Sequence, residues 1–224
     1  MSIADRPLTE EEKLYIGLDC EMVGIDPRST SVLAHVVLVN WNGHEIYNSY
    51  VKPPAPVTNY RTQYSGIVAG NLETKGRPFK RVQAEVANLI RGKIVVGHGL
   101  ANDFKALHLP HPPLDMIRDT TLRNEFKKPD PRTGALNPQK LSKLALEHLG
   151  VAIQQGTHDP AEDARASMAL FRMFKNVWPA PPAPKRSFAS VAASSTARAR
   201  GGGTRKRRGS SKHRATATRR RRRI

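Results

Sequence analysis

The sequence has a single cysteine, Cys20, in 224 residues. That excludes an internal disulfide and any cysteine-rich zinc site. No stretch approaches the ~20 apolar residues that a bilayer-spanning helix needs, and the first residues are too charged for a signal peptide, so a soluble protein of a reducing compartment is expected. No P-loop, H-E-x-x-H or G-x-S-x-G pattern occurs, which removes the usual nucleotidase, zinc-protease and serine-hydrolase readings. Acidic residues are missing from residues 185–224, which carry 15 of the 37 Lys and Arg. Residues 1–184 balance 22 basic against 19 acidic side chains, so most of the formal +18 belongs to the tail.

The chain therefore divides by composition. Residues 1–13 are a charged N-terminal segment and residues 14–178 one domain of ordinary size. From residue 179, Pro, Ala, Ser, Gly and Arg dominate, and the runs 201–203, 205–208 and 219–223 cannot form a core. A disordered basic tail over 179–224 is expected.

What the body does contain is an apolar run, residues 14–24 (LYIGLDCEMVG), with two carboxylates in its middle. It reads as a central strand. Strand side chains alternate, so Asp19 and Glu21 share a face about 7 Å apart, with Cys20 pointing the other way as a buried thiol. Two acids in an apolar strand repel each other and resist desolvation. Pairing with Arg or Lys is one solution, and a divalent cation bridging both is the other.

Two more strands are expected at 31–41 and 45–51, joined at Asn42-Gly43, a hairpin signal. The Pro-rich stretch 52–64 cannot be helical throughout. Phe79, Val82, Val86, Leu89 and Ile90 recur at helical spacing, predicting a helix over 78–91. A strand at 93–97, a helix from Gly99 to about His108 and a short strand at 114–118 follow. Residues 127–135 read as a loop. Asn137-Pro138 reads as the start of a helix that Gly150 stops, and Asp159-Pro160-Ala161-Glu162 as a capping box opening a last helix to about Val177. The predicted fold class is α/β, a mixed five-stranded sheet flanked by helices.

Asp103 and Asp163 each fall in a helix first turn, where an acid ordinarily complements the helix dipole. In such a sheet these helix starts gather at one rim, which would bring them towards Asp19 and Glu21. Four carboxylates in one cleft would need cations, and Mg²⁺ or Mn²⁺ prefers such oxygen ligands. His158 lies five positions before Asp163, and His98 five before Asp103. Spacing alone does not choose between these histidines.

LDCEMVG, VGHGLANDF and HDPAED, in this order and spacing, resemble the three motifs of the DEDDh 3′→5′ exonucleases. VKPPAPVTNYRTQYSGI and IRDT extend the match, which covers residues 14–178 and points to the branch acting on ribosomal RNA precursors. The resemblance implies an RNase H-like fold and removal of nucleotides from 3′ ends with two divalent ions, Mg²⁺ or Mn²⁺. It assigns the metal-holding acids to Asp19, Glu21, Asp103 and Asp163, and the catalytic histidine to His158. Asp19 would bridge the two ions and His158 would take the proton of the attacking water. Met22 would pack against the terminal nucleoside, or simply fill the core. Arg61 would contact a phosphate or the ribose 2′-hydroxyl, or be an ordinary surface arginine. The expected partner is single-stranded RNA, acted on by a monomer in the nucleus and nucleolus. The competing readings are a non-catalytic RNA-binding or assembly factor, and a DNA exonuclease on the same fold.

Overall fold

The computed structural model describes residues 6–182. Strand β1 (Tyr15–Ile25) runs through the middle of the sheet. Its alternation sorts Ile16, Leu18 and Cys20 into one core cluster and Tyr15 into another on the opposite face. β2 (Thr30–Val39) and β3 (Glu45–Lys52) follow as antiparallel neighbours. Gly43 makes the turn between them at φ 85°, a left-handed backbone that glycine adopts without steric cost.

The Pro-rich stretch holds more structure than its composition suggests. β4 (Val57–Asn59) pairs with the far end of β1, and the single turn α1 (Thr62–Ser65) and α2 (Ala69–Lys75) come next. β5 (Arg77–Pro78) joins β3 in parallel, and α3 (Phe79–Ile90) lies where its apolar spacing predicts. β6 (Ile94–Gly97), α4 (Leu100–Ala106) and β7 (Ile117–Asp119) complete the sheet, β6 and β7 running parallel to β1. All five expected strands are present. The two short segments β4 and β5 raise the count to seven, in the order β5-β3-β2-β1-β6-β7 with β4 on the end of β1.

Asn137-Pro138 does not open a helix. Residues 127–135 are not simply a loop either, because β8 (Lys127–Pro129) pairs with β9 (Leu136–Pro138) as a separate two-stranded ribbon. Pro138 is tolerated there because a ribbon edge needs no N–H on its outer side. The helix begins instead at Leu141 as α5 (Leu141–Leu144), passes into a π-helical turn (Ala145–Leu149) and stops at Gly150. The last helix, α6 (Pro160–Met173), ends four residues early, and a 3-10 turn covers Lys175–Val177. Asp159 caps it, accepting from the Ala161 N–H at 3.0 Å. Glu162 leaves the capping box half made, since its Oε2 accepts from Gln154 N at 2.8 Å instead.

Two arginines fasten the end of the described chain. Arg118, fully buried, donates to the Pro179 carbonyl at 2.9 Å, and Arg123 to the Val177 carbonyl at 2.7 Å. The expected basic tail lies, beyond Pro182, outside the described residues. Among the described residues no helix is long and apolar enough to cross a membrane.

The helices cover both faces. α3 and α4 contribute Val82, Val86, Leu100 and Phe104 to the cluster around Leu18, Val36 and Leu38. α6 packs Ala164, Met168 and Phe171 against Tyr15, Val37, Val39 and Val96. At Gly17 the approach of α6 is so close that a Cβ would lie 2.6 Å from Val39 Cγ2 and 3.2 Å from the Ala164 carbonyl oxygen. The missing side chain lets the first turn of α6 settle onto β1 beside Asp19. Gly17→Val should therefore cost about 1–3 kcal/mol by overpacking, whereas Gly70→Ala in α2, where a Cβ meets nothing within 4 Å, should be neutral or stabilising by up to about 1 kcal/mol. Thermal melts of the two variants should move in opposite directions.

Candidate active site

β6 pairs with β1 only as far as Gly17 opposite Val96, while β2 continues along the other flank to Ile25. Beyond Gly17 one side of β1 is thus open, and Asp19 and Glu21 sit in that open stretch. The chain leaving β6 turns through Gly99, at φ 78°, into α4, whose first turn carries the buried Asp103. Asp103 lies against Cys20, and burial beside that carboxylate keeps the Cys20 thiol protonated. Cys20 is buried as expected.

The turn that aims Asp103 is held by Asp119, at the end of β7. Its carboxylate accepts from Gly99 N at 2.9 Å, Leu100 N at 2.8 Å, Thr121 N at 2.9 Å and the Thr121 hydroxyl at 2.7 Å. Sequence reasoning matched the IRDT block but gave Asp119 no task. The available signal was a lone acid closing a short strand before Thr-Thr.

From the opposite face, α6 brings Asp163, which is buried. Its Oδ2 accepts from Gln154 Nε2 at 2.7 Å, while Oδ1 is buried with no hydrogen-bond partner. His158 Nδ1 stands 3.7 Å from Asp163 Oδ2 and 4.0 Å from Glu21 Oε1. Glu21, His158 and Asp163 each place a ligand atom within 4.8 Å of the others. His158 is fixed from behind, its N–H donating to the Tyr64 carbonyl at 2.7 Å, yet its side chain stays 31% exposed to the cleft. His98 also lines the cleft, but Nδ1 is tied to the Thr120 hydroxyl at 2.7 Å and burial pulls its pKa down.

Burial drives the electrostatics. It raises the Asp19 pKa well above the usual carboxylate range, with Asp103, Asp163 and Glu21 adding repulsion. Glu21 is pushed up to about 8 by burial and then by Asp163 and Asp103. Burial takes Asp103 to about 7 and Asp163 to about 6, the latter opposed by the Gln154 hydrogen bond and by His158. At neutral pH such a cluster calls for added positive charge. Carboxylate oxygens with one imidazole, and the orphaned Oδ1 of Asp163, suit a hard divalent cation. The residues present fit Mg²⁺ or Mn²⁺.

Two expected contacts are not in this cleft. Met22 packs, partly buried, against the Leu18 and Cys20 core cluster. Arg61 turns its guanidinium onto the β1–β2 turn, donating to the Ser31 hydroxyl and the Ser29 carbonyl, both at 2.8 Å. Its Nη1 and Nη2 groups brace the chain itself, which orients the guanidinium towards that turn.

An exonuclease family model, RNase_T, matches residues 16–171. The chain is 48% identical over 165 residues to RNA exonuclease 4 of Gibberella zeae, covering 73% of this chain and 50% of that protein. Against RNA exonuclease 4 of Homo sapiens it is 43% identical over 164 residues, covering 73% and 37%. The chain thus spans half of the first relative's length and just over a third of the second's. Among solved structures it is similar to the Saccharomyces cerevisiae Pan2 pseudoubiquitin hydrolase-RNA exonuclease module in complex with A7 RNA. There the TM-score is 0.64 at 26% identity, covering 79% of this chain and 30% of that one.

The raised carboxylate pKa values set a stability profile. Each acid binds its proton more tightly folded than unfolded, so its contribution is present below the unfolded pKa near 4 and is lost as pH rises through the folded value. The cation-free protein should therefore melt several degrees lower at pH 8 than at pH 5, and Mg²⁺ or Mn²⁺ should reverse most of that loss. Melts across pH with EDTA or cation check it. A pH-independent melt in EDTA would contradict the crowded-carboxylate account.

Proposed function

The chain belongs to the exonuclease family, and from that membership we propose that it is a metal-dependent 3′→5′ exoribonuclease releasing nucleoside monophosphates. The observation that carries this reading is the convergence of Asp19, Glu21 and Asp163 on one cleft, with Asp103 buried close enough to repel Asp19 and Glu21, and His158 3.7 Å from Asp163. The cleft, about 580 Å³, suits a nucleotide-sized ligand. Asp19, Glu21, Asp103 and Asp163 would hold two divalent ions. When bound, these ions supply charge for the phosphate oxygens and lower the pKa of water at the site.

The chain's own residues do the rest. His158, anchored at its backbone and open at its ring, takes the proton of the attacking water. Water oxygen adds to phosphorus as the bond from phosphorus to the upstream 3′-oxygen breaks. That oxygen gains a proton, and a nucleoside 5′-monophosphate leaves. Gln154 holds Asp163 in place throughout. His98, half-buried and bonded to Thr120, is part of the wall.

RNA as the substrate rests on the relatives' name and on the RNA held by the Pan2 module. Processing of ribosomal RNA precursors in the nucleus and nucleolus rests on the motif resemblance read in the sequence and on the tail's Arg205–Arg208 and Arg219–Arg223 runs. The experiment is a labelled-oligonucleotide assay, RNA beside DNA and Mg²⁺ beside EDTA. Laddering from the 3′ end of RNA, abolished by EDTA, supports the proposal. Binding without cleavage in either cation would favour a non-catalytic RNA-binding factor.

Asp19→Asn should fold and lose at least about two orders of magnitude in rate. His158→Ala should lose roughly 10²–10⁴-fold, and His98→Ala far less. If His98 proved the costlier loss, the general base has been placed on the wrong histidine.

Deleting residues 185–224 should spare turnover of short RNA but weaken binding to long RNA. Each phosphate contact to a single strand adds about −0.7 to the log–log salt slope, so losing four of the 15 tail cations from the interface should flatten it by roughly 3. Salt-titrated binding of both proteins reads this directly.

A further inference from the structure

Two glutamines stand side by side, Gln154 and Gln155, and the fold gives them different surroundings. Gln155 is exposed and donates to the Ile153 carbonyl at 3.3 Å. Gln154 is half-buried, lines the catalytic cleft and adopts φ 57°, a left-handed backbone that residues bearing side chains rarely take. It is fastened to α6 at two consecutive residues. Its N–H donates to Glu162 Oε2 at 2.8 Å, and its side-chain amide donates to Asp163 Oδ2 at 2.7 Å. An uncommon backbone conformation held by two such bonds points to a requirement of position.

That requirement falls on Asp163. Its Oδ2 takes the amide, and His158 Nδ1 approaches the same atom to 3.7 Å. Its Oδ1 is buried and has no hydrogen-bond partner. One oxygen is therefore engaged, and the other is left for a cation. This asymmetry separates the divalent cations. Ca²⁺ accepts about six to eight oxygens and often takes both from one carboxylate, whereas Mg²⁺ demands a tight octahedral shell. To offer both oxygens, Asp163 would have to give up the amide and strand a half-buried donor.

We propose that Gln154 determines cation specificity: by holding Oδ2 it limits Asp163 to one ligating oxygen, favouring Mg²⁺ or Mn²⁺ over Ca²⁺. This inference rests on the metal-dependent exonuclease reading and names what tunes that site. Gln154 is a positioning residue acting through Asp163, with no part in bond making. The left-handed turn at 154 brings its backbone and side-chain donors onto the same helix end.

The test uses the full chain and compares wild type with Gln154→Met, Gln154→Gly and Gln155→Met. Methionine keeps the side-chain length without the donor, and glycine removes the side chain while adopting φ 57° freely. Cation affinity is read from thermal melts of the RNA-free protein against Mg²⁺ or Ca²⁺ concentration, beside turnover of a short RNA. The ratio of Mg²⁺ to Ca²⁺ affinity should fall roughly 5–50-fold in both Gln154 variants, and Gln155→Met should match wild type. Ca²⁺ should in parallel become a stronger inhibitor of turnover in Mg²⁺. An unchanged or higher ratio in a folded Gln154 variant would overturn the proposal. Equal weakening of both cations would overturn it too, because that marks a merely structural hold. If methionine disturbs the fold, the glycine variant decides. Wild type that binds neither cation would defeat this inference and the exonuclease reading together. Wild type that discriminates between cations but never cleaves would defeat the exonuclease reading alone, and the affinity ratios would still decide the role of Gln154.

Discussion

Four carboxylates crowd together at one desolvated cleft, three lining it and Asp103 buried behind, and the surrounding architecture is arranged to keep them there. Mutual repulsion and burial both oppose their ionisation, so nothing in the acids themselves draws them together. The fold has to do it from outside. β6 stops pairing at Gly17 and leaves a flank of β1 open. α6 can approach at the same residue because no side chain stands between Val39 and Ala164. Helix N-termini then meet the rim from both faces, and their orphan N–H groups and dipoles partly offset the negative charge.

The acids differ in how they are held, which divides their work. Asp103 is built into the scaffold, buried and indirectly set by Asp119 through the turn before α4. Asp163 keeps one oxygen on Gln154 and leaves the other without a partner. Glu21 is the acid that His158 approaches from the open side. An array with one member buried in the scaffold, one half-satisfied and one facing a partly exposed imidazole leaves ligand positions open to a cation.

The two histidines show how environment separates residues that spacing leaves equal. Both lie five positions before an acid, and both line the cleft. His98 is bonded to Thr120 and desolvated, which favours a neutral, fixed ring. The His158 ring approaches Asp163 and Glu21 only at 3.7 and 4.0 Å and stays partly exposed, so it can meet water and substrate. Arg61 makes the complementary point. A guanidinium offered by the sequence either as a substrate contact or as an ordinary surface group braces Ser29 and Ser31.

Much of this was legible in the residues alone. The period-two run around Asp19 and Glu21 determined a central strand with both acids on one face, because strand geometry leaves no other option. Helical spacing from Phe79 to Ile90, and the capping Asp159 before Pro160, fixed two helices by local physics. Where long-range pairing competed with local signals, the sequence misled. Asn137-Pro138 carries a helix-start pattern, yet cross-strand pairing with residues 127–129 claims it for a ribbon. Only the tertiary structure could decide that Cys20 is buried beside Asp103, that Asp119 aims α4, and that Arg61 braces Ser29 and Ser31 while Tyr64 faces the cleft. Each of these depends on which groups remain unsatisfied once distant segments have packed, and no local pattern in the chain records that.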